Sequence, residues 1–138
     1  LVPANDPGET GLAYMETFTI PADARARYLS FASMLVCTND GIAGVDSVWL
    51  PYGKKTVYAK AYDVRTEMNT ENFANMVPPC QAAIGISSDD EGTGTSDPSI
   101  SEDGIVIPHQ GIVGGKDLIP AVHGWDGAVV KIEIERMK

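Results

Sequence analysis

The chain is poor in bases, in cysteine, in histidine and in long apolar runs, and each shortage removes a class of function. Ten Lys and Arg stand against nineteen Asp and Glu, a net charge of −9 over 138 residues. A nucleic-acid binder needs a basic footprint to displace counterions, so nucleic acid is excluded as a partner, and an anionic membrane surface is disfavoured by the same sign. No apolar run approaches the roughly 20 residues of a spanning helix, so no transmembrane segment is expected. The two cysteines, Cys37 and Cys80, are too few for a thiolate zinc site. They form either one disulfide, with a loop contribution of about 3–4 kcal/mol, or two buried free thiols. There is no helical stripe longer than two turns and no internal repeat. Gly-x-Ser-x-Gly is missing, which argues against a serine hydrolase. Gly111–Gly115 runs into Lys116-Asp117 without a Walker Lys-Ser/Thr pair. No catalytic motif emerges, and the chain is not expected to be an enzyme.

What remains is an ordinary globular composition, 43% hydrophobic and 21% charged, of the length of one domain. The chain starts at Leu1 with nothing resembling a signal peptide, which suits either removal of a leader or excision of a domain. Residues 1–12, rich in Pro, Gly and acid, read as an extended lead-in, and 13–138 as the domain. Tyr14 to Ile20 alternates with a period of two and reads as a strand ended by Pro21. Tyr28 to Val36 is apolar almost throughout, and Thr38-Asn39-Asp40-Gly41 then signals a turn. Ile42 to Leu50 and Thr56 to Tyr62 read as strands separated by Pro51-Tyr52-Gly53. Ile105–Ile107 and Gly111–Gly114 are short strand candidates. In the last strand Val130, Ile132 and Ile134 face one way, and Lys131, Glu133 and Glu135 the other. Many short strands with turns between them predict an all-β antiparallel sandwich or barrel. Trp49 and Trp125 are read as core or loop anchors rather than as a carbohydrate platform.

Acidic loops are the chemical signal. Asn39-Asp40 closes one strand, and Asp63 through Glu71 follows another. Both segments begin where an outward-running strand turns, so both are expected at one end of the molecule. Asp40, Asp63 and Glu67, with Asn39 and with Asp23 from the turn before the second strand, would repel unless a cation lay between them. Carboxylate, amide and backbone oxygens are the hard donors that Ca²⁺ takes. The segment from Ser87 to Gly104 holds six acids and no base, but it lacks the EF-hand ligand spacing and reads as a solvated loop. His109 and His123, the only histidines, would form a soft-metal copper site only if they met Cys37, Cys80 or methionines.

Several of these stretches carry a resemblance. Leu29-Ser30-Phe31 through Thr38-Asn39-Asp40, Gly44-Val45-Asp46-Ser47 and Ala61-Tyr62-Asp63-Val64-Arg65-Thr66-Glu67-Met68-Asn69 are similar to the spondin domain. So are Pro108-His109-Gln110-Gly111-Ile112 and Ala128-Val129-Val130-Lys131-Ile132, and the likeness spans roughly Glu16 to Glu135. This is the module of F-spondin and mindin, and it also occurs in bacterial secreted proteins, whose wording is nearest. The resemblance implies a C2-like antiparallel β-sandwich of about eight strands with Ca²⁺ at one loop end, held by the positions of Asp40, Asp63 and Asp23. Here Val64-Arg65 stands where the family carries Ala-Gly, which exchanges a glycine for a cation beside the site. The expected function is a secreted or cell-surface, calcium-binding β-sandwich with a structural or adhesive role. Its partners would be an extracellular-matrix or cell-surface protein, or copies of itself. The alternative is a self-assembling fibre or coat subunit in which residues 1–12 add a strand to a neighbour. A copper-binding or metalloenzyme domain using His109 and Cys37 ranks below both.

Overall fold

The computed structural model describes residues 2–3, 12–13, 17–35, 38, 40–76 and 97–137. Two short strands, β1 (Val2–Pro3) and β2 (Leu12–Ala13), pair antiparallel in a small sheet of their own. The extended lead-in expected at 1–12 therefore closes with the first residue of the segment assigned to the domain. The main sheet holds β3 (Tyr28–Met34), β4 (Gly41–Trp49), β5 (Lys54–Asp63), β6 (Ile107–Pro108) and β7 (Ala128–Glu135). All pairings are antiparallel: β3 with β4, β4 with β5, and β5 with both β6 and β7. The chain is mostly strand and all-β, and among the described residues it has one helical turn, α1 (Pro120–His123), and 3₁₀ turns at Phe73–Asn75 and Pro98–Ile100. None of its described helices is long and apolar enough to cross a membrane.

The strands follow from period-two patterning and the turns between them. Leu35 closes the β3–β4 connection by donating its N–H to Gly41 O and accepting from Thr38 N, both at 2.8 Å. Thr38 Oγ1 then accepts from Gly41 N at 2.7 Å, and a Cβ on residue 41 would collide with that threonine side chain. Glycine at this point of the turn is thus required by close approach. Across the sheet, Leu29 opposes Val48, Phe31 opposes Val45, Ala43 opposes Ala61, Ala59 opposes Val130 and Val57 opposes Ile132. Paired residues share a face, so these define the inner side, where Ala43, Ala59 and Ala61 are buried and Leu29, Phe31, Val57 and Ile132 are half-buried. Asp63, opposite Gly41, terminates that same face at one end of the sheet.

Two strand expectations are corrected. Thr17–Ile20 lies in no strand, with Phe18 and Ile20 exposed, while residues 14–16 of that expected strand lie outside the described residues. Gly111–Gly114 forms no strand, because its shape is set from outside: both oxygens of Glu71 accept backbone N–H bonds, from Val113 at 2.5 Å and Gly114 at 2.6 Å. Gly111 and Gly114 take φ of 80° and 86° there, outside the β region. Trp49 is also no core anchor. It is 46% exposed and meets Tyr28 edge to face at 5.2 Å on the outer side of the sheet.

Candidate functional site

The antiparallel ladder decides which acids meet. Gly41 opposes Asp63, so Asp40, one residue earlier, lies at the end of the sheet where β5 runs out into the loop that carries Glu67. Asp40, Asp63 and Glu67 are brought to this end and are 8%, 4% and 5% exposed. Asp23 is not brought there. It precedes β3, whose first residue Tyr28 opposes Trp49 at the far end of β4, about 20 Å from the Met34 end at the usual rise per residue. Its carboxylate accepts from Arg25 N at 2.7 Å and faces the Arg25 guanidinium at 3.5 Å on the surface. Asn39 lies outside the described residues, as do Cys37 and Cys80.

Each buried carboxylate accepts from loop backbone amides, Asp40 and Asp63 from residues 65–67 and Glu67 from residue 97. Asp40 Oδ2 accepts from Thr66 N at 2.9 Å, Thr66 Oγ1 at 3.1 Å and Glu67 N at 3.0 Å, and its carbonyl accepts from Val64 N. Asp63 Oδ1 accepts from Arg65 N at 2.7 Å, and Oδ2 from the Asn69 amide at 2.5 Å. Glu67 Oε1 accepts from Asp97 N at 2.8 Å. Charge-assisted bonds of this kind are among the stronger ones, and here they impose the shape of residues 64–71. Arg65 consequently takes φ of 56°, a left-handed conformation that glycine adopts without cost.

The segment from residue 97 to 104 is laced to this loop and does not float in solvent. Met68 N donates to Ile100 O, Glu102 N to Thr66 O and Gly104 N to Arg65 O, and Glu67 bridges Ser101. Arg65 completes the seam through ion pairs with Glu102 at 3.0 Å and Asp103 at 3.2 Å. Its bond to Glu102, followed by the charges of Asp103, Glu102 and Asp63, raises the guanidinium pKa against the opposing effect of burial. Residues 87–96 of the expected acidic loop lie outside the described residues.

Three more residues belong to this end, of which the sequence reading placed Glu71 and Asn69 only within the loop after Asp63 and His109 only as a soft-metal candidate. Glu71, with φ of 57°, clamps the glycine-rich loop, and Asn69 binds Asp63. His109, held by its N–H to Ala61 O, rests against Trp125 with ring centres 5.1 Å apart. His109 Nδ1 accepts from Gly111 N at 3.0 Å, which selects the neutral ring with its proton on Nε2. Burial lowers its pKa from 6.5, while the charges of Asp63, Asp40 and Glu71 oppose that shift. The signal for Glu71 and Asn69 was the polar, base-poor character of the loop after Asp63.

Asp63, Arg65, Met68, Asn69, Glu102 and Ile107 line a cleft of about 460 Å³. Among the described residues, no three His, Cys, Asp or Glu side chains stand together in an arrangement that could hold a metal ion. No known protein family, curated protein or solved structure matches the chain.

Proposed function

We propose that the chain is a secreted or cell-surface β-sandwich domain with a structural or adhesive role, stabilised by Ca²⁺ at the loop end of its sheet. The observation that carries this reading is the charge gathered there. Asp40, Asp63, Glu67, Glu71, Glu102 and Asp103 surround a loop whose single base, Arg65, is engaged by Glu102 and Asp103. A divalent cation offsets that excess directly. The cleft offers hard oxygen donors to receive it: the Asp63 and Glu102 carboxylates and the Asn69 side-chain carbonyl. Bound there, Ca²⁺ would tie the seam between residues 64–71 and 97–104. The resemblance to spondin domains supports the same assignment, and Arg65 at a left-handed φ in a glycine position agrees with it.

The five-stranded sheet would be one layer of a C2-like sandwich of about eight strands. The half-buried Leu29, Phe31, Val57 and Ile132 on its inner face give a second layer something to bury. The fitting partners are an extracellular-matrix or cell-surface protein.

Thermal unfolding with Ca²⁺ and with chelator, on the wild type and on Asp63→Asn, tests the reading. An occupied site at 100 times Kd adds about 2.7 kcal/mol, and each kcal/mol moves the midpoint by about 2–8 °C. The expected result is a drop of several degrees on chelation in the wild type and none in the variant. Wild-type curves that coincide with and without chelator would overturn it.

A further inference from the structure

The main sheet ends in two unlike edges. The edge formed by β7 carries Lys131, Glu133 and Glu135, with Lys131 and Glu133 paired at 3.7 Å and Glu135 paired with Lys54. Charges of this kind keep foreign strands away. The opposite edge, β3, reads Tyr-Leu-Ser-Phe-Ala-Ser-Met, without a charge or a proline. Among the described residues nothing pairs with its outer side. The irregularity in the β3–β4 ladder belongs to β4, where Asp46 and Ser47 together face Ser30 and are pinned by its hydroxyl. Among the described residues the edge of β3 is thus unpaired, with N–H and C=O groups able to template another strand.

The same chain carries an unused strand. Thr17-Phe18-Thr19-Ile20 has strict alternation and β-favouring residues, yet it lies in no strand, and Phe18 and Ile20 are 70% and 68% exposed. The seven residues that join it to β3 are closed upon themselves. Asp23 O accepts from Ala26 N, Asp23 Oδ1 from Arg25 N, and Ala24 O from the Arg27 guanidinium.

We propose that Thr17–Ile20 of one copy adds as a strand to the free edge of β3 in a second copy, with the exchange made reciprocally in a twofold dimer. Period-two matching places Phe18 and Ile20 beside Leu29 and Phe31, where they extend the apolar inner face, and the two threonines beside Ser30 and Ala32. Two donor segments and two edges then share one interface. With Phe18, Ile20 and the neighbouring exposed Tyr28 and Met34 contributed by each chain, it buries on the order of 1,000 Å², the low end for a specific dimer. The association is therefore concentration-dependent. It does not rest on calcium, and it moves the donor from residues 1–12 to residues 17–20.

Sedimentation equilibrium over a concentration series tests the proposal, with the full chain as wild type, as Thr19→Pro, which removes a ladder donor, and as Phe18→Ser/Ile20→Ser. The wild type is expected to show a monomer–dimer equilibrium. Both variants should raise the dissociation constant by roughly tenfold or more, with monomer melting curves unchanged. A wild type monomeric to about 1 mM, or association that survives both variants, would overturn the proposal. So would a lower melting midpoint of either variant under monomeric conditions, because it would place the segment within its own chain's core.

Discussion

The two ends of the sheet solve the problem of polar chain in opposite ways. At the end where β3 begins and β4 stops, polar groups stay in water: Asp23 pairs with Arg25 on the surface, and Tyr28 and Trp49 stack in the open. At the other end three carboxylates are buried, and their oxygens are spent on backbone N–H groups of loops that have few apolar side chains of their own. A loop without regular structure still has to satisfy its amides, and acids do that work here where a strand partner or a helix would do it elsewhere. Acidic residues therefore carry different weight at the two ends, and their number in the sequence says little about it.

The largest expected effect comes from removing the acid that holds most of the loop. Asp40→Ala strands two backbone amides and the Thr66 hydroxyl and should cost about 3 kcal/mol or more, given 1.5–3 kcal/mol for each bond to a charged group. Asp23→Ala at the far end should cost about 0.5 kcal/mol or less. Denaturant unfolding of the two variants checks the contrast, and equal losses would abolish it.

A middling effect is expected from pH. The folded His109 pKa lies below the unfolded value of 6.5 because of burial, so the native state binds fewer protons than the unfolded chain. The contribution is complete above about pH 6.5 and is lost as pH falls through the lower folded value. Protonation also puts a hydrogen on Nδ1, where Gly111 N now donates. Unfolding midpoints measured from pH 8 to pH 5 should fall more steeply for the wild type than for His109→Gln. Asp46 and Asp97 act lower on the scale. Bonds from Ser30 and Ser47 hold the first below 3.8, and bonds from Ser99 hold the second there. Their support is present above about 3.8 and goes as pH drops through their folded values.

The smallest effect is reserved for the sheet's surface charge. Lys54 and Glu135 pair at 3.4 Å, but both are largely exposed, so Lys54→Ala should change stability by about 0.5 kcal/mol or less. A larger loss in 150 mM salt, where such pairs are screened, would mean that the outer face bears more load than its exposure suggests.

Much of the sheet was legible in the sequence. The runs Tyr28–Val36, Ile42–Leu50 and Thr56–Tyr62 and the alternation from Val130 predicted β3, β4, β5 and β7 to within a few residues, because period-two patterning and Asn-Asp-Gly or Pro-x-Gly turns are local signals. Thr17–Ile20 carried the same local signal without becoming a strand, since a strand also needs a partner. Of the expected site residues, Asp40, Asp63 and Glu67 come to the same end of the sheet because a hairpin returns the chain there, but among the described residues they do not stand together as a metal-holding group. Asp23 was misplaced by one strand length, having been assigned to the start of a strand whose other end faces the site.

By itself, then, the sequence determined what depends on neighbours along the chain: the strands, their turns, the acidic balance and the lack of an apolar run long enough for a spanning helix. Only the tertiary structure decided what each acid does. Asp40 reaches residues 66 and 67, Glu67 reaches 97, and Glu71 reaches 113 and 114. Bonds between residues so far apart along the chain form only after the sheet has brought its loops together, and no local pattern encodes their partners.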